Sequence, residues 1–220
     1  MYVKICGITR LEDALAAISA GADFLGYNFY PHSKRYLPPA RAARIHAEVR
    51  RRAPYVRGVG VFVNAAPESI LHTLAQAGLD LAQLHGDEPP EALATLGGRA
   101  FKALRLRSLS ETRQALALLP PRREPPAFLV DAWHPAAYGG SGQTADWQAA
   151  RQLRDAAPPE MQAFFLAGGL TPENVRAACA QVSPWGVDAA SGVESAPGIK
   201  DHLKMRQFIQ AAKSFSQESV

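Results

Sequence analysis

Cysteine is almost absent: Cys6 and Cys179 are the only two, on unlike local patterns. That excludes a disulfide framework and fits a reducing compartment. No apolar run approaches the ~18 residues that a membrane span needs. No basic stretch followed by an apolar region opens the chain, so no export signal is expected there and the cytoplasm is the expected location. The basic residues give a net charge of +4 but are dispersed. Their tightest cluster, Arg50-Arg51-Arg52, ends a helical pattern, where it complements the helix dipole. Aromatics that could stack bases are missing around it, so neither nucleic acid nor membrane is an expected partner. The six histidines (His32, His46, His72, His85, His134 and His202) form no i, i+4 pair and share no Cys-x-x-Cys setting. Metal binding is therefore not expected. A nucleophile elbow is missing as well.

What is present is alternation. Strand-like runs occupy residues 3–6, 24–29, 56–63, 79–84, 101–106, 127–130, 163–167 and 186–189. Helical patterns lie between them, at residues 11–20, 40–51, 68–77, 111–119 and 173–180. A βα unit needs about 24 residues, and eight of them account for the chain at about 27 each. Thr9-Arg10-Leu11-Glu12 reads as a capping box with Gly21 as the helix stop. Thr171-Pro172 reads as a cap followed by a first-turn proline. The segments Ala20-Gly21-Ala22-Asp23 and Ala77-Gly78-Leu79-Asp80 echo each other before two strands, as a repeated βα architecture would. Residues 133–144, rich in Gly and Pro, read as a functional loop on the sixth unit. The expected fold is a single (β/α)8 barrel over residues 1–220, with its chemistry at the strands' C-terminal ends. An open doubly wound sheet is the competitor. Its dinucleotide form wants G-x-G-x-x-G after the first strand, where this chain has Cys6-Gly7-Ile8-Thr9.

In a barrel, the strand ends converge on one mouth. Cys6 ends the first run and Arg35 lies in the loop after the second. His85 follows the fourth and Asp131 the sixth. Gly168-Gly169 follows the seventh and Ser191-Gly192 the eighth. Glycine turns let backbone N–H groups approach a phosphate closely, and barrels often use the last two loops for it. Each residue also has a plainer reading. A lone cysteine is more often a small buried hydrophobe, an aspartate can brace a loop, and an arginine is ordinarily a surface residue. A thiol titrating near 8.5 is partly thiolate at neutrality. A desolvated carboxyl can hold a proton to donate, and an arginine fork suits a carboxylate. Cys179, on a helical face, reads as core.

Six segments resemble the phosphoribosylanthranilate isomerase family: KICGIT at residues 4–9, FYPHSKRY at 29–36, QLHGDE at 83–88, YGGSGQTADW at 138–147, LAGGLTPENV at 166–175 and GVDAASGVESAPGIKD at 186–201. Asn28, where a hydrophobe is usual, and His134-Pro135-Ala136 depart from the family pattern beside the site. The resemblance implies an Amadori rearrangement in tryptophan biosynthesis that needs no cofactor or metal. It implies Asp131 as general acid, Cys6 as general base and Arg35 on the anthranilate carboxylate. Gly168, Gly169, Ser191 and Gly192 would hold the phosphate, and Gln83, His85 and Asp188 would line the substrate without distinct steps. The expected partner is a small phosphorylated substrate, handled by a monomer or homodimer. Two alternatives stand beside this reading: the related isomerase of the histidine pathway, and a non-catalytic barrel that binds phosphorylated metabolites. The histidine-pathway family resembles an aspartate pair, against which the thiol at Cys6 argues.

Overall fold

The computed structural model describes residues 1–106, 108–122, 124–132 and 146–217. Eight parallel strands close a barrel in sequence order: β1 (Tyr2–Cys6), β2 (Phe24–Asn28), β3 (Arg57–Phe62), β4 (Leu81–Leu84), β5 (Ala100–Leu106), β6 (Phe128–Ala132), β7 (Phe165–Leu166) and β8 (Gly186–Ala189). The seam is made by β1 and β8, with Lys4 in register with Asp188. Around the barrel run α1 (Leu11–Ala20), α2 (Pro39–Arg52), α3 (Pro67–Ala77), α4 (Pro90–Thr95), α5 (Leu109–Ala117), α6 (Trp147–Ala156), α7 (Val175–Val182) and α8 (His202–Gln217). The (β/α)8 expectation holds. No helix among the described residues is long and apolar enough to cross a membrane. The expected loop over residues 133–144, with most of the YGGSGQTADW segment, lies outside the described residues.

The strands read as near-continuous apolar runs because both faces of a parallel sheet are covered. Outward residues such as Val3, Ile5, Leu25 and Tyr27 pack under the helices. Inward residues change character with height. At the lower end Phe24, Leu81, Phe101 and Phe165 form a compact apolar plug, with Phe24 and Phe165 edge to face. Alternation then puts Lys4, Cys6, Gln83, Asp131 and Asp188 on the inner wall above that plug.

Two expectations are corrected and one element is added. Thr9 closes no capping box: the N-cap of α1 is Arg10, which makes no side-chain cap bond, and the Thr9 hydroxyl donates instead to the carbonyl of Gly198. The Gly21 stop is present, left-handed at φ 99°. Nor does α7 begin at Pro172. It starts at Val175, after a turn in which Asn174 Oδ1 accepts from the Thr171 N–H at 2.8 Å and its amide donates to the Gly169 carbonyl at 2.9 Å. Finally, an antiparallel hairpin, β9 (Glu194–Ala196) and β10 (Ile199–Lys200), follows β8 and was not expected.

Candidate active site

The first strand delivers Cys6 to the mouth, where it is only 9% exposed. Neighbouring β2 makes room for it with Gly26, since a Cβ there would lie 2.8 Å from the Cys6 sulfur. Asp131 lies inside β6 rather than just after it, one residue before the strand's end, and is buried. Gln83 comes from β4 and His85 from the residue following it. The three form a chain: Gln83 Nε2 donates to His85 Nδ1 at 2.8 Å, which leaves the ring proton on Nε2, 3.1 Å from Asp131 Oδ2. Gln83 Oε1 is buried with no partner among the described residues.

Asp188, on β8, connects the two sides. It accepts from the ammonium of Lys4 at 2.9 Å through Oδ2, and its Oδ1 is buried with no partner among the described residues. Burial raises the Asp188 pKa, Lys4 opposes, and the charge of Asp131 adds to the rise. The same Asp188 carboxylate acts on the thiol. Burial pushes the Cys6 pKa up, Lys4 pulls it down and Asp188 pushes it up again. One carboxylate thus feels or influences both Cys6 and Asp131, so thiol and carboxyl share a single polar cluster at one mouth.

Two glycine turns border it. Gly168 and Gly169 have φ of 90° and 62°, which side chains rarely adopt. Gly192 presses on the neighbouring turn so closely that a Cβ would lie 1.9 Å from the Leu170 carbonyl oxygen. The turns after β7 and β8 are therefore one surface, the composite cradle expected for a phosphate.

Arg35 comes from the loop between β2 and α2. Its Nε and Nη2 form a fork on Glu194, at 2.8 and 2.6 Å. Lys200 donates to the same carboxylate at 3.0 Å. Burial works against the charge on Glu194, but Arg35 and Lys200 outweigh it and hold the carboxyl below its ordinary range. Sequence reasoning missed Glu194, Lys200 and Lys4. The available signal was a charged residue within or beside a strand-like run, as in Val3-Lys4-Ile5. It also missed Glu88, whose carboxylate accepts from the N–H groups of Asn64 and Gly86 and from Lys102. That knot fixes the loop that starts at His85.

A closed barrel with a thiol, a carboxyl and two abutting glycine turns at one mouth has the make-up of a (β/α)8 enzyme. Comparison with known proteins narrows the class. Residues 3–211 match the family model described as N-(5'phosphoribosyl)anthranilate (PRA) isomerase, and the chain belongs to that family. The N-(5'-phosphoribosyl)anthranilate isomerase of Geobacter metallireducens is 46% identical over 214 residues, 96% of this chain and 98% of the relative. The phosphoribosyl anthranilate isomerase crystal structure from Thermotoga maritima superposes with a TM-score of 0.85 at 42% identity, covering 97% of this chain and 99% of that one. A further isomerase structure, in complex with reduced 1-(o-carboxyphenylamino)-1-deoxyribulose 5-phosphate, gives 0.82 at 41% identity over the same shares.

Proposed function

We propose that this chain carries out the Amadori rearrangement of N-(5'-phosphoribosyl)anthranilate in tryptophan biosynthesis, with Asp131 as general acid and Cys6 as general base. Asp131 gives its proton to the ribose ring oxygen, and the bond from that oxygen to carbon one breaks, leaving an iminium. The Cys6 thiolate then takes the proton from carbon two, whose bonding pair forms the carbon one–carbon two double bond of an enolamine as the iminium pair returns to nitrogen. Loss of the carbon-two hydroxyl proton and protonation of carbon one give the aminoketose. The iminium makes carbon two acidic from within the substrate.

The remaining residues bind and orient. The cradle of Gly168, Gly169, Ser191 and Gly192 takes the phosphate, and holding that remote group places carbon two over the thiol. Glu194 engages two of the five N–H donors of the Arg35 guanidinium, and the remaining donors bind the anthranilate carboxylate. Gln83, His85 and Asp188 line the sugar between the two ends. The setting is the cytoplasm and the partner a small phosphorylated molecule. In support, Arg50, Arg51 and Arg52 are taken up by Asp80 and Glu48 rather than forming a patch for polyanions.

The observation that carries this reading is geometric: Cys6 at the end of β1 and Asp131 on β6 both face the inner wall of one mouth, with His85 Nε2 3.1 Å from Asp131 Oδ2. The test is the decay of anthranilate-ester fluorescence with substrate generated in situ. Cys6→Ser and Asp131→Asn should each lose about 10²–10⁴-fold in turnover while a product analogue still binds. Undiminished turnover in either variant overturns its assigned role.

A further inference from the structure

The proton transfers above leave one buried charge without a task. Lys4 is completely buried and lies on the inner face of β1, two residues below Cys6. Its ammonium bonds Asp188 across the seam at 2.9 Å, and its positive charge, on the same inner face as the thiol, favours the thiolate of Cys6. A buried ion pair is a poor device for stability, because desolvating two charges offsets most of their attraction. The layer beneath is filled by Phe24, Phe101 and Phe165 instead.

We propose that Lys4 is a positioning residue for the base: held under the thiol by Asp188, its ammonium stabilises negative charge on the Cys6 sulfur and sets how much Cys6 can accept the carbon-two proton. The inference rests on Cys6 being the base. Among the described residues, the charged groups acting on that sulfur include Lys4 from β1, Asp188 from β8, Lys200 from β10, and Arg35 from the loop after β2. Lys200 and Arg35 already share the carboxylate of Glu194. Lys4 is the cation nearest in strand register, and Asp188 is the anion working against it.

That opposition gives a signed test. Peptide-resolved alkylation of Cys6 by iodoacetamide is followed from neutral to alkaline pH in wild type, Lys4→Met, Lys4→Arg and Asp188→Asn. An opposite charge within ~4–6 Å shifts a titration by about 1–3 units. Alkylation at neutral pH should therefore slow by roughly tenfold or more in Lys4→Met, with its midpoint moved up. Asp188→Asn should move the midpoint down and speed alkylation, and Lys4→Arg should restore the wild-type midpoint. A purely structural role would loosen the barrel in both charge-removing variants and move them the same way. An unmoved midpoint in Lys4→Met, or shifts of one sign in both, overturns the proposal. Should Lys4→Met fail to fold, an Asp188→Asn midpoint at or above wild type does the same. Failure of the base assignment reads out separately, as full turnover by Cys6→Ser.

Discussion

His46 shows how one side chain ties stability to pH away from the mouth. It lies on α2 with 1% exposure, its Nδ1 3.3 Å from the Tyr27 hydroxyl, while Arg50 Nε donates to its Nε2 at 3.3 Å. Burial lowers its pKa from 6.5 to about 4, against the pull of Asp80. The folded protein therefore prefers the neutral ring. Its contribution is complete above pH 6.5 and is lost as pH falls through the window down to about 4. The loss amounts to about 3 kcal/mol. Urea unfolding of wild type and His46→Gln across that window should show the two stability curves converging as pH drops. Parallel curves would mean that the imidazole does not titrate in this way.

Among the elements, the hairpin β9–β10 has the largest influence for its size. Five residues long in strand, it supplies Glu194 and Lys200 and receives the Thr9 hydroxyl at Gly198. Glu194→Gln would leave buried Lys200 and half-buried Arg35 without their counter-charge. Removing one partner of such a set costs about 3–5 kcal/mol, so chemical denaturation should show a loss of that order, accompanied by a raised KM. Unaltered KM would show that Arg35 keeps its place without Glu194. The hairpin was not legible in the sequence because Glu194 to Lys200 contains Pro197 and Gly198 and has no two-residue period. The eight barrel strands were legible for the opposite reason: each is a mainly apolar run, and most are closed by a glycine, a proline or a charge. Boundaries shifted where tertiary bonds displaced local ones, as at Thr9, whose hydroxyl chose Gly198 over its own helix. Cys6, Asp131 and the glycine turns could be found because they interrupt patterns at strand ends. Lys4 was visible only as a charge inside an apolar run; its pairing was not, since its partner stands 184 positions away and only closure of the barrel brings the two together.

For the whole molecule, closure is a matter of joining first elements to last. Asp13 of α1, fully buried, accepts from the Lys200 N–H at 3.1 Å and from His202 Nε2 at 2.8 Å. Asp23 accepts from the Val3 N–H at 2.8 Å and from Lys213 of α8. Between these polar ties α8 buries Met205, Phe208, Ile209 and Ala212 completely. Phe208→Ala should cost about 3–5 kcal/mol, measured by equilibrium denaturation, with turnover per folded molecule preserved because no mouth residue is touched. A smaller loss would mean that the helix slides to refill the space. The thiol belongs to β1 and the carboxyl to β6, so a chain severed near Gly97-Gly98 would give two fragments, each with half of the acid–base couple. Neither fragment could turn over alone, and any recovered activity on mixing them would be a direct reporter of their reassembly.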